Sequence, residues 1–410
     1  MSNVEKLLIQ TFVKSDGERH CLLVNSLTGL PQFFPNLFVT TQIRNASLSL
    51  SAMESVLVSI SVLLHFCAKN NIELIDRFRD KSYLALHEVE ALADFCQLKL
   101  KPISSSLKVV SIAISRERFV ANQTTYVRLT NIARYLSWLA SILSPQLKKE
   151  DNETLKKMVG MIKARRPVKK GRNSGVNQKG LTNTQIDVLF EVFRPNSEIN
   201  PFKQYDIRIR NRLIFLMLFY LGIRSGELLN IRIGDIDFSN NQIVVARRAD
   251  DRNDPRLDQP LVKTLDRRLP IKDTLMQEIH DYVMKYRKLI PNSKRHDFLF
   301  VTHKPGPTIG QPISKSTYNK IMTLIRDVSP DLYSFTGHAL RHKWNERFSE
   351  LMDSRDNPPD EAQQEQLRSW LMGWRQGSGT ATTYNQRFIK RKASEASLVL
   401  QQTKNRVPKV

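Results

Sequence analysis

The sequence predicts a mainly α protein: an N-terminal all-helical domain, then an α+β domain of helices around a small antiparallel sheet. Three observations predict it. Apolar residues recur at helical spacing through most of the chain. The period shortens to two in "DIDFSNNQIVVARR" and "LVKTLDRRLPI". Between the two domains lies "RRPVKKGRNSGVNQKG", a linker by its Gly, Pro and Asn content. At 410 residues the chain is long enough for two or three domains with ample cores.

The elements follow in order. Residues 1–46 read as an extended lead-in. "HCLLVN" and "NLFVTT" are expected as short strands around the turn-rich "SLTGLPQFFP". This stretch is apolar with few basic residues, so packing on the next domain is expected rather than DNA binding. Residues 47–164 form the helical domain. Its first helix has Ser51 as a cap and apolar residues at Met53, Val56, Leu57, Ile60, Leu63, Leu64 and Cys67. Further helices are expected in "SYLALHEVEALADFCQL", "QTTYVRLTNIARYLSWLASIL" and "NETLKKMVGMIKA". Residues 165–180 are the linker. Residues 181–410 form the second domain, which opens with Thr182 as a helix cap and carries a tight turn at Asn240-Asn241. Helices return in "DTLMQEIHDYVMKYRKL", "KSTYNKIMTLIRDV", "GHALRHKWNERFSELM" and "EQLRSWLMGW", with "DSRDNPPDEAQQ" as a polar loop.

Charge narrows the function. The net charge is +23 and the pI about 10, which favours a polyanionic partner, nucleic acid first. Nine basic residues and no acidic one lie between Lys156 and Lys179. Of these, Lys163, Arg165, Arg166, Lys169, Lys170 and Arg172 are candidate contacts to a DNA backbone; a solvated charge run is the plainer alternative. The three cysteines are far apart, with no C-x-x-C, so neither a disulfide framework nor a zinc site is indicated and a reducing cytoplasm fits. No secretory leader follows Met1. The most apolar runs, "VLVSISVLLHFCA" and "LIFLMLFYLG", are too short to span a bilayer, so no membrane partner is expected.

Candidate chemistry is scattered but ordered. Arg224 sits where Gly222 breaks one apolar helix just before another begins, and a guanidinium buried there needs an anion. Glu227, three residues on, could supply it, or the anion could come from outside. "HALRH" places His338 and Arg341 at i, i+3 on one helix. Tyr384 is the only tyrosine after His338. Lys263 lies in the expected hairpin. Singly, each has an ordinary structural explanation. Together, two arginines can bind the non-bridging oxygens of a phosphodiester and stabilise charge developing on it, while a tyrosine can act as nucleophile. P-loop and serine-hydrolase motifs are absent, and no paired carboxylates suggest a metal-dependent transposase.

These segments resemble the tyrosine recombinase (phage integrase) family. "GIRSGELLNIRIGDID" resembles its first arginine box, "VKTLDRRLPI" its lysine hairpin, "HALRH" its His-x-x-Arg box, and "LMGW" followed by "TATTY" its Gly-His/Trp and nucleophile segment. The four occur in the family's order, and the helical domain matches its core-binding domain in size and position. The interval from Arg341 to Gly373 is longer than the family's, with "DSRDNPPDEA" accounting for the excess. The resemblance implies the tyrosine recombinase/type IB topoisomerase fold and a site-specific recombinase that cuts and rejoins DNA through a 3′-phosphotyrosyl bond, with no metal or high-energy cofactor. It implies that Arg224, Arg341 and Trp374 bind the scissile phosphate, His338 assists proton transfer, Lys263 is the general acid and Tyr384 attacks, with Glu227 supporting the site. It also implies double-stranded DNA sites as partner, a homotetramer on two duplexes linked through C-terminal tails, and room for accessory DNA-bending proteins or a partner recombinase. A type IB topoisomerase and a catalytically inactive DNA-binding relative are the alternatives.

Overall fold

In the computed structural model, the described residues are 7–46, 49–99, 119–146, 148–168, 180–375, 377, 389 and 392–401. The chain divides into two units, Met1–Ser174 and Gly175–Val410.

The first unit begins with an antiparallel hairpin, β1 (Leu7–Val13) and β2 (Arg19–Asn25), paired from Leu7↔Asn25 to Val13↔Arg19. Helices α1 (Phe33–Phe38), α2 (Leu50–Lys69), α3 (Leu74–Arg79), α4 (Leu86–Gln97), α5 (Asn122–Leu143) and α6 (Lys149–Ala164) follow. "HCLLVN" is a strand as expected, but "NLFVTT" is helical: it completes α1 and continues as a π-helical turn, Val39–Arg44. Tertiary bonding overrides its β-prone composition. Asn36 accepts from Leu23 N at 2.8 Å and donates to Leu23 O at 2.9 Å, which pins α1 side-on to β2. The lead-in therefore shares one core with the helices. Leu23, Phe38 and Val39 pack with Leu57, Ile60 and Leu63 of α2, Leu92 of α4, Leu136 of α5 and Ile162 of α6. Ser49, not Ser51, is the α2 cap position. The α2 helix is longer than the apolar run inside it. By length and composition alone it could cross a membrane (mean hydropathy 1.7), yet 56% of that window is buried in the unit.

In the second unit, α7 (Asn183–Val192) starts at the expected Thr182. The Thr182 hydroxyl accepts from Gln185 N while the Gln185 side chain accepts from Thr182 N. Helix α8 (Tyr205–Leu221) is buried on nearly every face from Arg210 onward, the pattern of a central helix. After it come α9 (Ser225–Leu228) and the strands β3 (Ile236–Asp237), β4 (Gln242–Val245) and β5 (Arg267–Pro270), an antiparallel sheet in the order β3-β4-β5. Asn241, at φ +51°, makes the predicted turn. Then come α10 (Asp273–Asp281), α11 (Lys315–Arg326), α12 (Gly337–Asp353) and α13 (Glu361–Met372).

One expectation is corrected here. Only Arg267–Pro270 of "LVKTLDRRLPI" is strand, so Lys263 lies in irregular backbone rather than in a hairpin. The stretch before β5 is drawn elsewhere: Leu265 N donates to Gly373 O at 2.9 Å, and Thr264 turns inward. The connection between β4 and β5 also contains "ADDRNDPRLD". Asp254 is buried in a two-pronged pair with Arg256, at 2.9 and 2.7 Å.

Candidate active site

The site is built where α8 ends, α9 begins and α13 ends. Gly222 caps α8 in the left-handed region at φ +61°. A Cβ there would lie 2.7 Å from the Trp344 ring, so the turn is closed to larger residues. The chain then enters α9 with Arg224 as its N-cap residue. Glu227 folds back to accept from Arg224 N at 3.1 Å and from Arg224 Nη1 at 3.4 Å.

Glu227 is the hub. Its side chain is fully buried, and it also accepts from the Thr264 hydroxyl at 2.7 Å and from Arg267 Nη2 at 2.8 Å. Arg341 Nη1 lies 4.0 Å away. Burial alone would raise the Glu227 carboxyl pKa. The Arg267 and Arg341 guanidiniums, with hydrogen bonds from Arg267 and Thr264, outweigh it and hold the group below the usual carboxylate range.

Arg341, on α12, is buried and serves two helix ends. It donates to Gly222 O at 2.7 Å and to Met372 O at 3.2 Å, where backbone carbonyls lack helical partners. Its guanidinium lies 5.3 Å from the Trp374 ring centre. Trp374 is buried beside Met372, just after Gly373 ends α13 at φ +64°. Arg224, Glu227, Arg341 and Trp374, separated by up to 150 positions in the chain, thus meet in one place. Three guanidiniums face one carboxylate, which leaves the cluster positive overall.

The other predicted residues are placed differently. His338 is exposed in the first turn of α12, its ring edge-on to His342 at 4.9 Å. Lys263 is exposed, one residue before the Thr264 that bonds Glu227. Tyr384 lies outside the described residues, as do Lys169, Lys170 and Arg172. Lys163 is exposed in the last turn of α6. Arg165 pairs with Glu90, and Arg166 lies over the Tyr126 ring at 4.8 Å, so both have partners within the protein. Arg267 was missed. In sequence it is indistinguishable from Arg268. The signal was alternation, since Arg267 and Leu269 face inward while Arg268 and Pro270 are exposed.

A sequence model of the phage integrase family matches residues 181–388, just over half of the chain. The chain belongs to the phage integrase family. This integrase is a DNA strand-exchange enzyme of the tyrosine recombinase type. It is similar to transposase A from transposon Tn554 of Staphylococcus aureus, 24% identical over 282 residues, covering 66% of this chain and 71% of that one. It is also similar to tyrosine recombinase XerC of S. aureus, 27% identical over 158 residues, covering 38% and 43%. Among solved structures, the Tn1549 transposon integrase in complex with circular intermediate DNA aligns at TM-score 0.46 and 14% identity, covering 86% and 94%.

Proposed function

We propose that the integrase cuts and rejoins DNA at specific sites through Tyr384, as the recombinase of a mobile element. Tyr384 Oη attacks the scissile phosphorus, a 3′-phosphotyrosyl bond forms, and the bond to the 5′ oxygen breaks. Lys263 gives its proton to that leaving oxygen, and His338 assists the proton lost by Tyr384. Arg224, Arg341 and Trp374 bind the non-bridging oxygens, and Glu227 holds the arginines in place. The observation that carries this reading is the meeting of Arg224, Glu227, Arg341 and Trp374 around one buried carboxylate with excess positive charge. Arg224 supports it most directly: its side chain is 26% exposed and its bond to Glu227 is long, so an outside anion can compete for it. Arg341 is buried, with its guanidinium held between Gly222 O, Met372 O and the Trp374 ring. The alignment with a transposase over two thirds of the chain supports the mobile-element role.

The test is a nicked suicide substrate that traps the covalent intermediate. The wild-type protein should form the adduct, and Tyr384→Phe should form none while binding DNA within a few-fold. An adduct in Tyr384→Phe would assign the nucleophile elsewhere.

For assembly, we propose four protomers on two duplexes, each C-terminal tail docking on a neighbour. Residues 392–401 are helical, and Leu398, Val399 and Leu400 are exposed, an apolar cluster suited to burial on another surface. Deleting everything after Ala393 should spare half-site binding and weaken cooperative filling of a full site. Unchanged cooperativity in a gel-shift titration would remove the tail from this role.

A further inference from the structure

We propose that Arg267 is a positioning residue for strand cleavage: it holds Glu227 and the end of α13 in register, and so leaves Arg224 available for the scissile phosphate. The inference rests on the strand-exchange reading above.

Its three nitrogens are divided among three elements. Nη2 donates to Glu227 Oε2 at 2.8 Å, Nη1 to the Thr264 hydroxyl at 3.1 Å, and Nε to Leu371 O at 2.7 Å. The side chain is only 2% exposed, so none of these bonds competes with water. Leu371 lies three residues before Trp374. At the glycine between them, a Cβ would lie 2.8 Å from Arg267 Nη1 and 2.8 Å from Leu265 O. The Arg267 fork thus packs directly beneath the turn that delivers Trp374. The same fork meets the carboxylate that bonds the Arg224 backbone.

The charges explain why this matters for the phosphate. Glu227 is buried and needs positive partners. Those facing it are Arg224 from its own turn, Arg267 from β5 and Arg341 from α12, with the Thr264 hydroxyl beside them. Arg267 makes the short bond at 2.8 Å, against 3.4 Å for Arg224 and 4.0 Å for Arg341. Without Arg267, the carboxylate would turn to Arg224 and draw it away from an outside anion, or it would take up a proton. Lysine cannot replace the fork. A single ammonium can pair with Glu227, but it cannot also hold Leu371 O and Thr264 in the same plane.

The experiment uses the full chain, a suicide substrate at saturating concentration, and the variants Arg267→Gln, Arg267→Lys and Glu227→Gln/Arg267→Met. In Arg267→Gln, half-site affinity should stay within a few-fold, while adduct formation slows about 10- to 100-fold, the range for losing a charge-assisted hydrogen bond. Its rate should also gain an acid limb, falling as pH drops, because Glu227 now protonates more readily. Arg267→Lys should abolish that limb yet recover only part of the rate. The double variant removes both charges and should show no limb. A wild-type rate per folded molecule and a wild-type pH profile in Arg267→Gln, with only a lower melting temperature, would make Arg267 a fold brace and overturn the inference. Where the Gln variant does not fold, a wild-type rate in Arg267→Lys overturns it equally. An acid limb persisting in the double variant would assign the titration to another group and also overturn it. Tyr384→Phe run alongside separates the two readings. An adduct there breaks the nucleophile assignment, whereas a silent Tyr384→Phe with indifferent Arg267 variants breaks only the positioning role.

Discussion

The two units are held together by different chemistry. The first is built as an apolar helix stack, in which Leu57, Ile60, Leu63, Leu136 and Ile162 are fully or almost fully buried. The second has a comparable apolar core but also buries Arg210, Arg256, Arg267, Arg287, Arg341 and Arg368. Most of these donate to backbone carbonyls: Arg210 to Val301 O, Arg256 to Leu229 O and Ile313 O, Arg287 to Phe298 O and Ser293 O, and Arg341 to Gly222 O and Met372 O. The reason lies in the connections. The second unit threads long irregular segments between its helices, and buried carbonyls outside helices and sheets need partners. Guanidinium forks supply them. In the first unit, Arg128 does this at the end of α4, bonding Cys96 O and Leu98 O.

The comparison can be broken by removing one tie of each kind. Arg256→Met strands the buried Asp254 and two carbonyls and should cost about 3–5 kcal/mol. Leu63→Ala in the first unit should cost about 2–5 kcal/mol through its cavity. Adding Asp254→Asn to Arg256→Met should recover part of the loss, a recovery with no counterpart for the leucine. Urea unfolding measures all three. A loss below about 1 kcal/mol for Arg256→Met would mean that the forks decorate the second unit rather than hold it.

A smaller effect separates the units by pH. His303 is buried in the second unit, with Nδ1 bonded to Asp206 at 2.8 Å and Nε2 to the Tyr282 hydroxyl at 3.1 Å. Burial, and then the nearby Arg210 charge, push its pKa down to about 4. In an unfolded chain the value is about 6.5. Between these limits the unfolded chain takes up a proton that the folded chain refuses. The contribution is therefore complete above about pH 6.5 and is lost as pH falls toward 4, on the order of 1 kcal/mol per pH unit. His303→Gln should flatten that part of the urea-midpoint profile. An equally steep fall in the variant would assign the slope elsewhere.

Much of this was legible in the sequence, for local reasons. The Thr182 cap, the Asn241 turn and the middle of the polar stretch before α13 each depend on residues a few positions apart, although Glu361–Gln364 of that stretch are already helix. The arginine boxes were legible because residue type and order carry them. What was hidden depends on distant partners. "NLFVTT" looks extended until Asn36 meets the Leu23 backbone. Lys263 looks like a strand residue until Leu265 N is drawn to Gly373 O rather than to β4. Arg267 and Arg268 differ only in the face of the strand they occupy, which becomes decisive once Glu227 lies on one side.

One consequence concerns variation among relatives. The loop between α12 and α13 spans residues 354–360. The end of α13 is set not by that loop but by the Leu265–Gly373 and Arg267–Leu371 bonds, reached from the far side of the sequence. The loop is thereby uncoupled from the register of Trp374. Doubling its length would add only about 0.6 kcal/mol of closure entropy. Insertions can accumulate there over evolutionary time while the geometry around Trp374 stays constant, so this loop is where a lineage can acquire new surface without rebuilding its chemistry.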